Sequence, residues 1–513
     1  MTARLVRVRP DTYVDSVLLM KAARAMQGKG GVDWASAAMG TPANLGVVAA
    51  EGFFDPALSD TAPNDLVLAV RADSKEEADS ALQAGEAALS AQAAAQRSVG
   101  ERRPRTMTEA VGSLPGANVA LVSVPGAFAS LETHKALSAG LHVLLFSDNV
   151  PLVQEVELKS RASELGLLVM GPGAGTASLG GVGLGFANAV RPGSVGVIAA
   201  AGTGAQEVMT LLHRWGTGVA DVVGVGGRDL SETVGGRMTR MAVRAMEADP
   251  RIDVLLLVSK PPSKAVAAEL LEVLGAKPTV VAFIGLDEDI EVTDGVRLAR
   301  TLEEAALLTV QALGMAAPDP SQGLREKVVA AMSGMPEERN TVHGLFSGGT
   351  LCYEAMVVIS SRLGTVHSNV PLKDGWGLPG PAGCHVCLDL GEEEFTRGRP
   401  HPMIDPEARS ELIRQHGEDP TTAVILLDVV LGYGAHEDPA SVLASPCADV
   451  VSRPSAPVVV AYVLGTDDDP QGLERQRRQL EEAGCLLAPT GARAALMAAA
   501  VAARRPDYVK ERP

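Results

Sequence analysis

The sequence of 513 residues has little of three things: aromatic side chains, cysteine and positive charge. Phe, Trp and Tyr make up 3% of the residues while hydrophobic residues make up 46%, so we expect an aliphatic core. Asp and Glu outnumber Lys and Arg by 62 to 45, which gives a net charge of −17. Nucleic-acid binding needs a basic face, so this balance argues against a nucleic-acid partner.

Long apolar runs and a cysteine framework are also missing. No run reaches the length that spans a membrane, and residues 1–16 lack the apolar stretch of a signal peptide. Five cysteines without framework spacing are typical of a reducing compartment. We therefore expect a cytoplasmic protein without a membrane-spanning segment.

The stretch Ser194–Glu207, with the sequence SVGVIAAAGTGAQE, is typical of a buried β-strand that ends in a glycine-rich turn and opens a helix. Such a turn leaves the first N–H groups of the helix unpaired at the positive end of the helix dipole. Helix N-termini of this kind bind phosphates and carboxylates. The sequence therefore predicts an anion site at Gly202, Thr203 and Gly204. The alternative is a plain helix start, with glycines for tight packing.

The same pattern occurs a second time in HGLFSGGTLCYEA, at 343–355, where Gly348, Gly349 and Thr350 form the turn. After both copies the order of strands, loops and helices is the same, which indicates an internal duplication. Each copy alternates strand-length apolar runs with amphipathic helices, a pattern that predicts a parallel sheet with helices on both faces. Ligands bind at the carboxyl ends of the strands in such sheets, where both turns lie.

A glutamate follows each turn within one helical turn, Glu207 in the first copy and Glu354 in the second. Carboxylates near a helix start usually cap or pack, and we interpret both residues in that way. A role as general base is the alternative.

Four segments resemble the α subunit of succinyl-CoA synthetase: NVALVSVPGAFA, LHVLLFSDNVP, LGLLVMGPGAGTA and PGSVGVIAAAGTGAQEVM. The second copy, which ends in APVVVAYVLGTDDD, is similar to the ligase domain of the β subunit. Their fusion behind an additional N-terminal module resembles the FdrA-like proteins of the acyl-CoA synthetase superfamily. The similarity extends over roughly residues 107–505.

The resemblance and the periodic patterns together predict an α/β chain with four folded parts and two linkers. The first part is a ferredoxin-like or ACT-like module, and the second is a Rossmann-like domain of the CoA-binding type. The last two are duplicated flavodoxin-like domains with parallel sheets, similar to those of succinyl-CoA synthetase. In chain order the parts and linkers are 1–92, 93–106 (linker), 107–192, 193–315, 316–340 (linker) and 341–505.

Several features of the synthetases are missing from this sequence. No glycine-rich nucleotide turn precedes Asn118, although the CoA-binding domain of the family begins with one. No histidine lies between His213 and His343, so the loop that carries the phosphorylated histidine in the family has no counterpart. Ser259 and Lys260 stand where a supporting glutamate would fall, and there is no ATP-grasp domain. An ATP-dependent ligase would need another phosphate carrier and a partner subunit.

As a family, the FdrA-like proteins are similar to one component of oxamate carbamoyltransferase, a multi-subunit enzyme of allantoin breakdown. That reaction exchanges a carbamoyl group between oxalurate or oxamate and phosphate, and it forms carbamoyl phosphate. It needs anion sites, and donors for a carbonyl oxygen that becomes negative, but neither CoA nor a phosphohistidine. The resemblance therefore implies phosphate or carbamoyl phosphate as substrate, a small anionic co-substrate, and other protein subunits as partners. A homodimer stays open.

The segment Thr396–Asp405, TRGRPHPMID, has the strongest local chemistry. Arg397 and Arg399 have the forked geometry that matches phosphate and carboxylate oxygens in two-point contacts. His401 would polarise a carbonyl or relay a proton. We predict these three as catalytic residues. The alternative is a solvated basic loop that forms salt bridges with residues 392–394.

Two further anion contacts are predicted. Gly173 lies in GPGAGT, a segment whose backbone N–H groups would cradle an anion, or which forms a structural turn at the domain junction. Arg228 lies in the segment of the first copy that corresponds to 396–405 in the second. Cys384 and Cys387 form a single Cys-x2-Cys without a second pair, so we predict no metal site.

Two other functions stay open. The first is an ADP-forming acyl-CoA synthetase that uses ATP and CoA and relies on a partner for ATP binding. The second is a non-catalytic scaffold that presents anion-binding domains to active partners. ATP- and CoA-dependent hydroxamate formation would favour the first function. A chain that binds no phosphate, carboxylate or CoA would favour the second.

If Arg399 contacts the transferring group, Arg399→Ala is expected to lower turnover by about tenfold or more, since a charge-assisted hydrogen bond contributes roughly 1.5–3 kcal/mol. The melting temperature is expected to stay nearly unchanged. Turnover of the complete complex and thermal unfolding of the chain check the two expectations. Equal losses of stability and activity would show that the loop is structural.

Overall fold

The computed structural model of the chain describes residues 2–14, 16–97, 104–286, 292–396 and 400–513. The chain forms two compact units. The smaller unit comprises Met1–Pro104 together with Glu393–Pro400, and the larger unit comprises Arg105–Glu392 and His401–Pro513. Within the described ranges, no helix is both long enough and apolar enough to cross a membrane.

The smaller unit is built on a sheet of three antiparallel strands. Its N-terminal elements in chain order are β1 (Ala3–Arg9), α1 (Ser16–Gln27), β2 (Val32–Met39), α2 (Pro42–Ala50), β3 (Leu66–Ala72) and α3 (Lys75–Arg97). β3 lies between β1 and β2 and is antiparallel to both. The buried Leu68 and Val70 of β3 belong to one core with Met26 of α1 and Leu82 of α3. This arrangement confirms the predicted ferredoxin-like module.

The larger unit begins with a small parallel sheet. Its elements are α4 (Met107–Ser113), β4 (Val119–Val122), α5 (Gly126–Ser138), β5 (His142–Leu145), α6 (Leu152–Leu165) and β6 (Val169–Met170). The strands pair in the order β4-β5-β6, and all are parallel. A complete dinucleotide-binding sheet reverses its strand order and binds its ligand at that point. In the described residues this part has the Rossmann-like alternation of strand and helix without such a reversal.

The first flavodoxin-like domain has a sheet of seven strands. Its elements are β7 (Thr176–Leu179), β8 (Val182–Gly185), β9 (Pro192–Ala199), α7 (Gly202–Arg214), β10 (Val219–Gly224), α8 (Arg237–Ala248), β11 (Val254–Ser259), α9 (Lys264–Glu272), β12 (Thr279–Phe283), β13 (Val296–Ala299) and α10 (Leu302–Ala312). The strand order is β13-β12-β11-β9-β10-β7-β8. The hairpin β7–β8 pairs antiparallel with β10 and so lies in this sheet, although it falls inside the predicted range 107–192.

The second flavodoxin-like domain follows helix α11 (Leu324–Ala331) and repeats this plan. Its elements are β14 (Thr341–Phe346), α12 (Gly349–Leu363), β15 (Val366–Ser368), β16 (His385–Asp389), α14 (Ala408–Glu418), β17 (Thr422–Val430), α15 (Pro439–Val451), β18 (Val458–Leu464), α16 (Leu473–Glu482), β19 (Leu486–Ala488) and α17 (Gly491–Ala502); the single turn α13 (Glu393–Thr396) belongs to the smaller unit. The strand order is β15-β16-β14-β17-β18-β19. Five parallel strands in each sheet follow the flavodoxin-like order 2-1-3-4-5, which confirms the predicted duplicated domains.

The two flavodoxin-like domains share one hydrophobic core. Val208 of α7, Leu351 and Met356 of α12 and Leu496 of α17 belong to the same buried cluster. α7 and α10 come from the first domain, and α12 and α17 from the second. The helices between the two sheets therefore form a common layer, which fixes the relative position of the two Gly-Thr turns.

A buried ion pair connects the two domains within this layer. Arg493 of α17 donates to Glu303 of α10 through Nε at 2.9 Å and through Nη2 at 2.7 Å. Thr490 Oγ1 donates to the same carboxylate at 2.5 Å. Both charged side chains are almost fully buried. Removing one partner of such a pair leaves an uncompensated charge in the interior.

Glu303→Ala is expected to lower the free energy of unfolding of the larger unit by about 3–5 kcal/mol, because it leaves the Arg493 guanidinium buried without its carboxylate. Glu304→Ala, at the next position, removes a carboxylate that accepts the Arg300 N–H. That change is expected to cost about 1 kcal/mol or less. Urea and thermal unfolding of both variants check this, and equal costs would contradict it.

Candidate functional site

The two predicted anion-binding turns lie next to each other. The Thr350 N–H of α12 donates to Thr203 Oγ1 of α7 at 3.3 Å. A Cβ atom added at Gly204 would lie 3.0 Å from Thr350 Cγ2, and one added at Gly348 would lie 2.9 Å from Thr203 Cγ2. The glycines therefore allow the two helix N-termini to approach closely. Because α7 follows β9 and α12 follows β14, both N-termini lie at carboxyl ends of strands.

Two buried glutamates join the domains in a reciprocal way. Glu207 of α7 accepts the Gly491 N–H, at the start of α17 in the second domain, at 3.2 Å. Glu354 of α12 accepts the Leu302 N–H, at the start of α10 in the first domain, at 2.6 Å. Each domain thus caps a helix of the other, where the helix dipole favours negative charge. The structure confirms that both glutamates are capping carboxylates.

The position of these glutamates changes their ionisation. Burial raises the pKa of Glu207 to about 7, although hydrogen bonds from Tyr462, at 2.6 Å, and from the Gly491 N–H favour the ionised form. Burial and the nearby Glu207 raise the pKa of Glu354 well above its ordinary value. Burial thus favours the protonated form of both groups, and the charge of Glu207 adds to this effect at Glu354.

The N-terminus of α12 is occupied by a carboxylate of the chain itself. Asp428, near the carboxyl end of β17, accepts the Ser347 N–H at 2.7 Å and the Gly348 N–H at 2.8 Å. Its Oδ1 atom also accepts from Arg409 Nη1 at 3.0 Å, and both side chains are buried. The predicted anion site of the second copy thus already holds an anion that the protein supplies.

The N-terminus of α7 has no such occupant. Its N-cap residue, Ala201, makes no side-chain cap. Among the described residues, the N–H groups of Gly202, Thr203 and Gly204 have no acceptor. A Cβ added at Gly202 would meet only Thr176 Oγ1, at 3.7 Å, so there is room for a ligand atom. Among the described residues, the turn at α7 therefore has three N–H groups without an acceptor, whereas the turn at α12 has one, that of Gly349.

Strand register explains the difference between the two turns. Leu257 of β11 pairs with Ile198, four residues before Gly202, and Leu427 of β17 pairs with Leu345, four residues before Gly349. The next residue after each paired leucine faces the turn. That residue is Val258 in the first domain, where it lies 3.1 Å from a Cβ added at Gly204, and Asp428 in the second. An apolar side chain in place of a carboxylate leaves the first turn open.

Two charged residues beside the turns were not predicted as site residues. Lys260 directly follows β11, the neighbour of β9, and its Nζ lies 5.3 Å from the centre of the Tyr353 ring. Asp389 ends β16, and a Cβ added at Gly349 would collide with its Oδ2. Burial raises the pKa of Asp389 to about 6, while the charge of Lys260 acts to lower it. Both residues lie at carboxyl strand ends next to a central strand, a position where site residues are expected.

His401 lies in the same region. A Cβ added at Gly391 would lie 2.7 Å from His401 Nε2 and 3.2 Å from Asp389 Oδ1, so the imidazole and the carboxylate are neighbours. The Met403 N–H donates to His401 Nδ1 at 3.2 Å, which leaves the proton of the neutral ring on Nε2. Burial, and in addition the charge of Arg409, lower the pKa of His401 to about 4. At pH 7 His401 is therefore a neutral hydrogen-bond donor.

The other two predicted anion contacts have partners within the protein. The Gly173 N–H donates to the Ser147 carbonyl at 3.0 Å. Arg228 forms an ion pair with the buried Glu155, with Nε and Oε2 2.8 Å apart. The structure therefore gives both residues a structural contact, and their anion binding stays a prediction.

Part of the predicted set thus converges at the carboxyl strand ends. The turns Gly202–Gly204 and Gly348–Thr350 touch each other, and His401 reaches the second turn through Asp389. The predicted catalytic residues Arg397 and Arg399 lie outside the described residues, so their positions relative to the turns stay predictions.

Comparison with known proteins identifies the class and then the family. A family model described as CoA-ligase matches residues 345–501, and one described as AllF, heavy metal-associated domain, matches residues 1–105. Together with the fold, these matches define an acyl-CoA synthetase-like protein with an AllF-related N-terminal domain. The chain is 38% identical over 508 residues to the uncharacterized protein YahF of Escherichia coli strain K12, with 97% of this chain and 98% of that protein covered. It belongs to the FdrA-like family.

Shorter matches link the chain to ligase subunits. It is 29% identical over 176 residues to the α subunit 2 of an ADP-forming succinate–CoA ligase from Archaeoglobus fulgidus. It is 27% identical over 178 residues to subunit SauD of an ADP-forming sulfoacetate–CoA ligase from Bilophila wadsworthia. Each match covers 33% of this chain, and it spans 60% and 59% of the two relatives.

Solved structures give a weaker comparison. Acetyl-coenzyme A synthetase 1 of Ca. Korarchaeum cryptofilum aligns with 80% of this chain and 88% of its own length. The TM-score is 0.31 at 15% identity. These values are too low to support a further statement about this chain.

A heavy metal does not fit the N-terminal domain, despite the description of its family model. Soft metal ions are bound by cysteine thiolate, histidine imidazole and methionine thioether ligands. Residues 1–105 contain neither cysteine nor histidine, and Met26 and Met39 are buried in the core of the domain. In the described part of the chain, no group of three or more His, Cys, Asp or Glu residues is placed to hold a metal ion. The match therefore describes the fold of this domain.

The raised pKa of Glu207 makes stability depend on pH. Its folded pKa of about 7 lies above the ordinary value of 4.5, so the folded protein holds this proton more tightly than the unfolded chain. Stability is therefore lost as the pH rises from about 4.5 to about 7. Glu207→Gln is expected to lack this loss, which amounts to about 2–3 kcal/mol. Unfolding at pH 5 and pH 8 checks this, and parallel pH profiles of the two proteins would contradict it.

Proposed function

We propose that the chain is a subunit of a heteromeric enzyme that transfers a carbamoyl or acyl group to or from phosphate. The open N-terminus of α7 is the observation that supports this most, because three N–H groups there have no acceptor within the described chain. A phosphate would accept these bonds at the positive end of the helix dipole. Lys260 adds an ammonium group at the neighbouring strand end.

The specific reaction that we propose is that of oxamate carbamoyltransferase in allantoin catabolism. FdrA-like proteins resemble one component of this enzyme. A phosphate oxygen attacks the carbamoyl carbon of oxalurate, the bond from this carbon to the oxamate nitrogen breaks, and that nitrogen takes up a proton. The products are carbamoyl phosphate and oxamate. The reaction needs no ATP and no CoA.

The first turn and the three residues predicted as catalytic then have the following roles. Phosphate would bind at Gly202–Gly204. His401, neutral and with its proton on Nε2, would donate a hydrogen bond to the carbonyl oxygen that becomes negative in the transition state. Arg397 and Arg399 would bind the carboxylate of the oxamate part through their forked guanidinium groups.

Partner subunits are part of this proposal. The ligase relatives with 27–29% identity are named as subunits of larger enzymes. The open sheet β4-β5-β6 and the missing ATP-grasp domain also agree with a chain that works in a complex. We further propose that this complex is cytoplasmic.

An ADP-forming acyl-CoA synthetase is the second candidate, favoured by the CoA-ligase match at 345–501. In the described residues, the order β4-β5-β6 contains no reversal, so this part lacks the switch point at which dinucleotide-binding sheets hold their ligand. No step is therefore assigned to CoA. Hydroxamate formation that requires ATP, CoA and a carboxylate would establish this candidate, and a scaffold would show neither activity.

Oxamate-dependent phosphate release from carbamoyl phosphate tests the proposal on the complex isolated intact from native cells. Release that requires oxamate, and that stops when this chain is removed, supports the carbamoyl transfer. No release with all subunits present would refute it, and the hydroxamate assay would then decide between a ligase and a scaffold.

Gly202→Pro is expected to lower kcat/KM for phosphate by roughly 10–100-fold, because it deletes one backbone donor to a charged ligand. Proline is compatible with the first helical position, and Ala201 already has the extended backbone that precedes proline (φ −157, ψ 111). Gly202→Ala is the matched control, since it keeps the N–H and meets only Thr176 Oγ1 at 3.7 Å. Equal activity of the two variants would contradict an anion at this turn.

A further inference from the structure

A cleft of about 850 Å³ lies between the two flavodoxin-like domains, and the proposed function does not use it. Its walls come from the ends of β12 and β13, from the flank of α12 and from the segment after β15. Small-molecule sites have volumes of roughly 300–1,000 Å³. The cleft is therefore large enough to hold a ligand of the size of a nucleotide.

Among the described residues that line this cleft, positive side chains outnumber negative ones. They are Arg300, Arg362, Lys373 and Arg512, against one acidic side chain, Glu304. The guanidinium of Arg300 is exposed and has no hydrogen bond or ion pair to any described residue. Forked guanidinium groups match phosphate oxygens in two-point contacts.

Arg362 adds a donor inside the wall. Its Nη2 is 3.1 Å from the Glu511 carboxylate and donates to the Arg512 carbonyl at 2.9 Å, and its Nη1 donates to Ser361 at 2.9 Å. Its Nε atom is buried and has no hydrogen-bond partner within the described chain. A buried donor without an acceptor is costly, and a bound anion would remove that cost.

Aromatic rings also gather in the cleft. Phe283, Tyr353 and Trp376 line it, although Phe, Trp and Tyr make up only 3% of the sequence. Trp376 is half-buried, and Lys373 Nζ lies 5.6 Å from the centre of its ring. Half-exposed aromatic faces stack with planar rings, and such stacking contributes about 1–3 kcal/mol per base in nucleic-acid complexes.

We propose that this cleft binds a nucleotide, whose phosphates contact Arg300 and Arg362 and whose base packs on the aromatic wall. The inference rests on the presence of both arginines and aromatic rings in one cleft. Arginines alone would suit any anion, and aromatic rings alone would suit any apolar ligand. The cleft shares no lining residue with the turn at α7, although Lys260 beside that turn lies 5.3 Å from the ring centre of Tyr353 in the cleft wall. It does not depend on the proposed carbamoyl transfer.

Titration calorimetry with ADP on the full chain tests this inference. ADP is expected to bind with one site per chain, while adenosine and pyrophosphate each bind at least about tenfold more weakly. Arg300→Gln is expected to weaken ADP binding by about tenfold or more. The matched control is Arg297→Gln, which changes an exposed arginine of β13, three residues before Arg300, that does not line the cleft.

Tryptophan fluorescence locates the bound base. The chain has three tryptophans, Trp34, Trp215 and Trp376. ADP is expected to quench the fluorescence of the natural chain, and Trp376→Phe is expected to remove most of this quenching while calorimetry still detects binding. Absence of ADP binding would overturn the inference. So would equal binding by Arg300→Gln and Arg297→Gln, or pyrophosphate binding as tight as that of ADP.

Discussion

The reciprocal capping by Glu207 and Glu354 is the interaction on which the candidate site depends. Each glutamate side chain reaches from its own domain to a helix of the other domain. Glu207 accepts the Gly491 N–H, and Glu354 accepts the Leu302 N–H. Hydrogen bonds of this kind contribute about 0.5–1.5 kcal/mol each. Their larger effect is geometric, since they hold α7 and α12 side by side so that Thr203 and Thr350 touch.

Two copies of one fold have diverged at the same point of their sheets. In the second copy Asp428 accepts the Gly348 N–H at the start of α12, and Arg409 forms an ion pair with Asp428. The chain itself therefore supplies both the anion and its counter-charge at this turn. In the first copy Val258 takes the corresponding place, and the donors of α7 stay free. Under the proposed function, the first copy provides the ligand site and the second copy provides a rigid wall beside it.

Local sequence patterns predicted the fold and the two turns because strand, glycine turn and helix are encoded within about fifteen residues. They did not predict which turn is open, since the deciding residues Val258 and Asp428 lie far along the chain and meet the turns only through strand pairing. The loop chemistry pointed to His401, but its neutrality results from burial and from Arg409, which a sequence pattern does not show. Arg228 was predicted from the duplication alone; the structure gives it an ion pair with Glu155, and its anion binding stays a prediction.

The central claim is that an anion binds at α7 and not at α12. Crystals of the chain soaked in a phosphate analogue with a strong anomalous signal, such as tungstate, test this directly. The account predicts an anomalous peak within hydrogen-bond distance of the Gly202, Thr203 and Gly204 N–H groups, with Asp428 still bound to Gly348. A peak at Ser347–Gly349, or no peak at either turn, would contradict it.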